Sequence, residues 1–561
     1  MPRQLQTVED LKAKGNEAFA AGDFQSARVE YGKALENLSD HGEGENAAVR
    51  AVILTNRSLC FLKENCHLEA AAGCRSAITS NCLHGKAHFI LAKAIWGDLQ
   101  RAKDEKSDRV ERAETETTNR AEAGAAIAVA VALTPLKGPE KDCPVRNLHF
   151  EITGEKWGVV YAVRTPQEFV QASMRKDSTI VVFPGVYEAP EVQLSRRWIG
   201  VGGSGQVTVH STGNHLVIVG MSMGVGPAFS FECRGVTVRQ KNVRPQRSAF
   251  AVTGGGHLSL HDVVVDRYEE VGVLASGGNA RVRNCRFDRC SRQAIEVREG
   301  GSVDVYDCEI SRCLQGISAY GGARHVGVFR TRVSSVEKEG IFANGSRENA
   351  ATRAQRQATG GVLRSYHDGQ SGNDVARRAE QWSREMGIDL DVVILDCTIE
   401  NSRMFGLSLD HGAQVFVHRT SVSGCGHSAC FIKGETTVTM NACMVAYPKG
   451  TAGIRVGANY NAAIQLNHLV LCGRTKTDAL VQEFIEGSSN PWGDLSSSAS
   501  SSSAGGMFGK VKSMTGMWSR PVSERSVRWC SEASGVKVCP RLSLSASRRR
   551  QTRGSYHRGG K

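Results

Sequence analysis

Residues 282–290 read VRNCRFDRC, and the same outline returns 23 residues later as VYDCEISRC, residues 305–313. Cys285 and Cys290 of the first copy become Cys308 and Cys313 of the second. Working outward, the place of Cys285 is held by Val263 before it and by Thr331, Cys397, Thr420 and Cys443 after it, with Leu469 in a less regular last copy. From Val263 to Cys443 the steps are 22 or 23 residues, apart from one of 66 between Thr331 and Cys397. An alternating apolar pair precedes each landmark (Leu258/Leu260, Val303/Val305, Val415/Val417). A small-then-apolar pair follows it (Ala294-Ile295, Gly316-Ile317, Gly406-Leu407), and a glycine-rich turn such as TGGGH or REGGS opens the next copy. Period-two alternation marks strands and glycine clusters mark turns. Several short strands per unit, repeated without intervening helices, specify a solenoid. The reading is a right-handed parallel β-helix, one coil per unit.

Equivalent residues of successive coils stack about 4.8 Å apart. Cys285, Cys308, Cys397 and Cys443 therefore form one internal ladder, and Cys290, Cys313 and Cys425 a second. That spacing lies within disulfide range. Val263, Thr331 and Thr420 nevertheless stand in the first ladder and Val336 in the second, which suits small packing residues better than metal ligands or bonded pairs.

The chain has 561 residues, enough for two or more domains, and its 17 cysteines lack the paired spacing of a zinc site. Its start, MPRQLQTVEDLKAKGNEAF, has no apolar secretory core, and the run AGAAIAVAVAL (123–133) is too short to span a bilayer. These features predict a reducing compartment, cytoplasmic or nuclear, and no transmembrane segment. The net charge of +13 is uneven: residues 475–561 carry 14 Lys/Arg against 6 Asp/Glu. Serine-rich low complexity makes 474–561 a disordered basic tail, with nucleic acid or acidic membrane as a minor reading of its charge. Cys530 and Cys539 within it cannot complete a four-ligand zinc site alone.

Residues 11–39 read as two amphipathic helices. Gly15, Ala18, Ala27, Tyr31 and Ala34 take the small and aromatic positions at which helices approach closely, and Ser58, Phe61, Ala70 and Ala77 repeat the offsets. A third copy begins at GKAHFILAKAIW and resumes at AEAGAAIAVAVALTP, interrupted by a charged insertion at 99–117. The segment LKAKGNEAF…LTNRSLCFL…GKAHFILAKA resembles tetratricopeptide (TPR) domains of the co-chaperone class, whose groove grips the C-terminal tail of Hsp70 or Hsp90. That resemblance implies a carboxylate clamp at Lys12, Asn16, Asn56 and Lys86, with Ile90 where the family carries an arginine. Ammonium and amide donors converging on carboxylate oxygens are the chemistry of such a site, and the missing arginine removes one planar fork.

STIVVFPGVYEAPEVQLSRRWIGVGGSG (178–205) resembles the opening coil of the pectate-lyase-like superfamily, which implies either a carbohydrate-active enzyme or an intracellular binding scaffold like those of F-box and SHC-SH2-binding-like proteins. Fold does not choose between them. Glycoside chemistry needs clustered carboxylates, and the chain offers mainly Asp410 and His411, with His427 and Lys433 nearby. Asp262, Asp288, Asp307 and Asp396 read as acids at turns or strand ends.

The sequence thus specifies a multi-domain protein: an all-α TPR superhelix (5–136), a linker (137–157), an all-β right-handed parallel β-helix (158–473) and the tail. An inserted loop or basic helix occupies 346–390, although 66 residues also equals three coils. The expected function is a non-enzymatic adaptor. The helical groove would bind a chaperone tail or other acidic peptide, and the β-helix a second protein or a glycan. No cofactor or metal is called for, and the rival expectation is a lyase, epimerase or hydrolase acting through Asp410 and His411.

Overall fold

A computed structural model describes residues 2–38, 45–104, 109–134, 143–155, 159–189, 195–211, 215–220, 230–240, 248–320, 323–345, 392–410, 413–434 and 436–447, and shorter strands up to residue 538. Six helices form three antiparallel pairs: α1 (Pro2–Ala20) with α2 (Phe24–Glu36), α3 (Glu45–Lys63) with α4 (His67–Ser80), and α5 (Gly85–Asp104) with α6 (Arg109–Leu133). Gly22, at φ +81°, turns the chain out of α1, and Asp23 caps α2 by accepting from the Ser26 amide at 3.0 Å. The small positions mark close approaches. A Cβ on Gly15 would stand 2.6 Å from a Tyr31 ring carbon, and Ala27, Tyr31, Ala34, Ser58, Ala70 and Ala77 are buried. Both described ends of the charged insertion are helical, α5 running to Asp104 and α6 beginning at Arg109.

The expected linker 137–157 holds a seventh helix, α7 (Pro144–Thr153), started by Pro144 and ended by left-handed Gly154. Ile152 is buried in the core of α4–α6, with Val145 and Leu148 against it. Those residues recur at helical spacing, so the segment buries a stripe instead of remaining extended.

Three parallel sheets of 13, 12 and 10 strands follow. One coil shows the plan: His257–His261 lies in the first sheet, Val264–Asp266 in the second and Val271–Ser276 in the third. Leu258 pairs with Ala280, Val265 with Phe287 and Val273 with Ile295, so each sheet advances by one repeat. A single left-handed residue makes the corner between the first two strands: Asp262, Asn284, Asp307, Arg330, Asp396, Arg419 and Ala442 all have φ between +46° and +55°. Arg267, Arg289, Arg312, Ser335, Asn401 and Gly424 make the second corner in the same way. Short polar side chains tolerate this region best; of the corner arginines, Arg289, Arg312, Arg330 and Arg419 are held by ion pairs to aspartates.

Inward residues of all three sheets merge into one continuous apolar core. Its open end is covered by α8 (Pro166–Ser173), begun by a Thr165/Glu168 capping box. Phe169 of α8 lies 5.0 Å from the Trp198 ring, which meets Phe231 at 5.3 Å.

Val326 pairs directly with Val392, and Arg332 with Thr398, so the coils bearing Thr331 and Cys397 are neighbours and no degenerate coil intervenes. The expected loop or basic helix of 346–390 lies outside the described residues. The sheets run past the expected boundary at 473: Val481–Phe484, Val527–Trp529 and Lys537–Val538 add to the last coils. Cys530, Cys539 and the other residues of the tail lie outside the described residues, as does Leu469.

The helical head docks onto the solenoid. Ala128 and Val129 of α6, with Ala125, Ala132 and Leu133, pack against Val181, Phe183, Ile199 and Val201 on the outer face of the first coils.

Candidate functional site

The four residues of the expected clamp come together on one face of the head. Asn16, one turn beyond Lys12 on α1, accepts the Tyr31 hydroxyl at 2.7 Å and the Asn56 amide at 3.3 Å. Lys86 of α5 donates to Asn56 Oδ1 at 2.9 Å. Lys12 is paired with Glu9 of its own helix. A connected line therefore runs Tyr31–Asn16–Asn56–Lys86 across α2, α1, α3 and α5. Burial raises the Tyr31 phenol to about 12, so it stays protonated and orients the Asn16 carbonyl. Asn16 and Lys86 remain exposed, although crowding around the ammonium lowers the Lys86 pKa. Amide and ammonium hydrogens on this line are the groups that an incoming carboxylate would meet. Ile90, one turn beyond Lys86, is only 2% exposed and belongs to the interhelical core. The fifth position therefore faces the packing, and an apolar residue suits it. Tyr31 was legible only as a packing aromatic; its hydroxyl bond to a residue 15 positions away has no sequence signal.

The solenoid cysteines Cys233, Cys285, Cys290, Cys308, Cys313, Cys397, Cys425, Cys430 and Cys443 are free thiols, and among the described residues no cluster of three or more His, Cys, Asp or Glu is placed to hold a metal ion. The ladders do more than fill space. The Val263 amide donates to Cys285 Sγ at 3.5 Å, the Cys285 amide to Cys308 Sγ at 3.4 Å, the Cys308 amide to Thr331 Oγ1 at 3.3 Å, and the Cys397 amide to Thr420 Oγ1 at 3.3 Å. Each thiol or hydroxyl then donates to the carbonyl two residues back, as Cys308 does to Tyr306 at 3.0 Å and Thr331 to Phe329 at 2.9 Å. The corner leaves one amide without a strand partner, and a small side chain with both a donor and an acceptor serves it. Cys and Thr meet that requirement, and Val263 at an earlier rung of the ladder does not. Cys443 repeats the backbone bond, donating to Asn441. In the second ladder Cys290, Cys313 and Cys425 follow the other left-handed corner and are buried. Burial raises the Cys397 thiol to about 12 and pushes Cys285 well up; contact with Cys313 and burial do the same for Cys290. These thiols are poor nucleophiles.

Asp410 ends the strand Phe405–Asp410, is 4% exposed, and is bridged by Lys433 at 2.8 Å. Its carboxylate is held by an ammonium instead of standing open as a base. His411 lies outside the described residues. His427 lies tilted against Phe405, 5.7 Å between centroids, and burial lowers its pKa. Of the other acids, Asp288, Asp307 and Asp396 are bound in ion pairs from coil to coil. Arg330 forks onto Asp307 at 2.7 and 2.8 Å, and Arg419 onto Asp396 at 2.5 and 2.6 Å, each pair joining corner residues of adjacent coils. Asp288, nearly buried, is held by Arg312 and Ser311, and Asp262 accepts from Ser204.

A family model described as right-handed beta helix region matches residues 228–377. The helical region is similar to curated proteins over short spans. It is 45% identical over 65 residues to sperm-associated antigen 1 of Rattus norvegicus, 11% of this chain and 7% of that protein. It is 34% identical over 87 residues to tetratricopeptide repeat protein 12 of Homo sapiens, 16% and 11%. It is also 34% identical over 77 residues to mitochondrial import receptor subunit TOM34 of Homo sapiens, 14% and 25%. The matched spans reach a quarter or less of these relatives' length. Among solved structures, the A-module of mannuronan C-5 epimerase AlgE6 of Azotobacter vinelandii aligns with 58% of this chain and 88% of its own at TM-score 0.38 and 11% identity, a likeness too loose to carry any argument. The chain thus joins a TPR-type helical head to a right-handed β-helix. Among the described residues no helix is long and apolar enough to cross a membrane.

Proposed function

We propose that this protein is a non-enzymatic adaptor whose helical groove binds an acidic peptide through its C-terminal carboxylate, a chaperone tail being the first candidate, while the β-helix presents a second protein-binding surface. The observation that carries this reading is the Tyr31–Asn16–Asn56–Lys86 line, with Lys12 one turn away: four helices bring their donors to one face. The free thiols support placing the protein in a reducing compartment, the cytoplasm. On this reading Tyr31 holds Asn16 so that amide hydrogens point outward, and Lys12 exchanges Glu9 for the ligand. With Ile90 at the fifth position, recognition relies on the terminal carboxylate more than on a preceding side chain.

The test is fluorescence anisotropy of the full chain with a labelled acidic pentapeptide, its C-terminal amide, and the Lys12→Ala/Lys86→Ala variant. Each charge-assisted contact contributes about 1.5–3 kcal/mol, so the amide and the variant should each bind at least roughly tenfold more weakly. Equal binding of acid and amide would overturn the reading.

A further inference from the structure

The outward face of the first sheet carries a cleft of about 590 Å³ beside α6. Two stacked columns form its floor. Ser230, His257, Asn279, Ser302 and His325 make one, and Glu232, Ser259, Arg281 and Asp304 the next. Thr117 of α6 and three further arginines, Arg196, Arg197 and Arg324, also line it. The lining therefore carries four arginines against two carboxylates, an excess of two positive charges before either histidine is counted.

Both carboxylates are engaged. Glu232 is held by Arg197 at 2.8 Å and by Arg234, and Asp304 by His325 at 3.2 Å. They lie three strands apart, about 14 Å at the inter-strand spacing, too far for the acid–base pairs of glycoside chemistry, which stand roughly 5–9.5 Å apart. The donors are placed to receive something. Arg324 is exposed at the rim, and Arg197 has a buried Nη1 without a hydrogen-bond partner, 3.9 Å from Glu155. Ser, Asn and Thr side chains add neutral donors along the columns. The volume lies within the range of small-molecule sites, which favour junctions between domains. Guanidinium forks favour oxyanions.

We infer that this cleft binds a small polyanion carrying two or more phosphate or carboxylate groups. Bound there, it spans from the α6 rim to the outer columns of the sheet, beside the existing bridge from Arg283 to Thr118 at 3.0 Å, and so ties the head more firmly to the solenoid. The site is separate from the peptide groove and does not depend on it.

Isothermal titration of the full chain with inorganic pyrophosphate and, separately, with citrate tests it. Wild type should bind at least one of them saturably, more weakly at high salt. Preference for pyrophosphate identifies a phosphate ligand, and preference for citrate a polycarboxylate. Arg281→Ala/Arg324→Ala should bind roughly tenfold or more weakly, and exposed Lys176→Ala should bind as wild type. If the double variant misfolds, Arg324→Ala alone, a change at an exposed side chain, should still weaken binding severalfold. Failure of both anions to bind wild type saturably, or binding unchanged in the arginine variants, overturns the inference. Peptide binding by the same preparations reports separately on the groove.

Discussion

In the solenoid a residue finds its neighbours one repeat away. In the helical head the neighbours of a residue lie at unrelated intervals. Cys285 meets Val263 and Cys308, 22 and 23 positions off, whereas Asn16 meets Tyr31 at 15 and Asn56 at 40, and Lys86 meets Asn56 at 30. The solenoid core is continuous, and that of the head is split into separate clusters. A translational repeat writes contacts into the sequence as periodicity. A bundle writes only its small and aromatic packing positions, and its polar contacts are unique pairs.

The strongest way to break the comparison is to open a cavity at the capped end of the solenoid. Trp198 is fully buried between Phe169 and Phe231. Trp198→Ala should lower stability by about 3–5 kcal/mol, measured by urea denaturation. If head and first coils form one unit through Ala128 and Val129, the helical circular dichroism and the β-sheet amide I infrared band will shift together. Two separate transitions would show that the regions are independent.

Acid should find a weak point in each region. His88 of the head and His261 of the solenoid are both lowered to about 4, His88 by burial and His261 by burial and then Arg234. A histidine with a depressed folded pKa is neutral in the fold and takes up its proton first in the unfolded chain. Its contribution is therefore complete above about pH 6.5 and declines as pH falls toward 4. For His88, which is 6% exposed and bonded to the Cys82 carbonyl at 2.9 Å, the loss should reach about 3 kcal/mol. His88→Asn should flatten the acid limb of stability against pH and leave the part due to His261. An unchanged limb would mean that His88 is not kept neutral by the fold.

The corner ladder offers a finer comparison. Cys308→Val has the branched shape of Thr but removes the acceptor of the Cys285 amide, and a buried unsatisfied donor costs about 1–3 kcal/mol. Cys308→Thr reproduces the bonds seen at Thr331 and should cost less than about 1 kcal/mol. Thermal denaturation of the pair decides whether the ladder is packing alone, in which case Val would equal Thr.

These contrasts also explain what the sequence disclosed. The coils and both cysteine ladders were legible because each feature recurs at 22 or 23 residues. The left-handed corners carry varied residues, Asp262, Asn284, Arg330 and Ala442 among them, and left no such signal. The acceptor role of the thiols was visible only as the exchange of Thr for Cys. Four groove residues were recognisable by motif, while the hydroxyl of Tyr31 was not. Helix α7 was hidden because its stripe of Val145, Leu148 and Ile152 is short and sits between proline and glycine signals. The cleft on the first sheet left no pattern at all: Glu232, Ser259, Arg281 and Asp304 stack in one column, yet each is a different residue type. Outward positions carry no packing constraint, so the repeat does not reach them.

The smallest expected effect is the sharpest test of the groove. Lys86→Ala removes one bond to Asn56 on an exposed helix face, where substitutions usually change stability by less than about 0.5 kcal/mol. Urea midpoints should therefore be nearly unchanged while affinity for the acidic peptide falls. A structural lysine would do the reverse, since losing it would free the Asn56 carbonyl and loosen the contact between α3 and α5 without regard to any ligand. Measuring both quantities on the same variant separates a residue held ready for a carboxylate from one that merely ties helices together. Lys12→Ala, which breaks only the pair with Glu9 on the same helix, should show the same split.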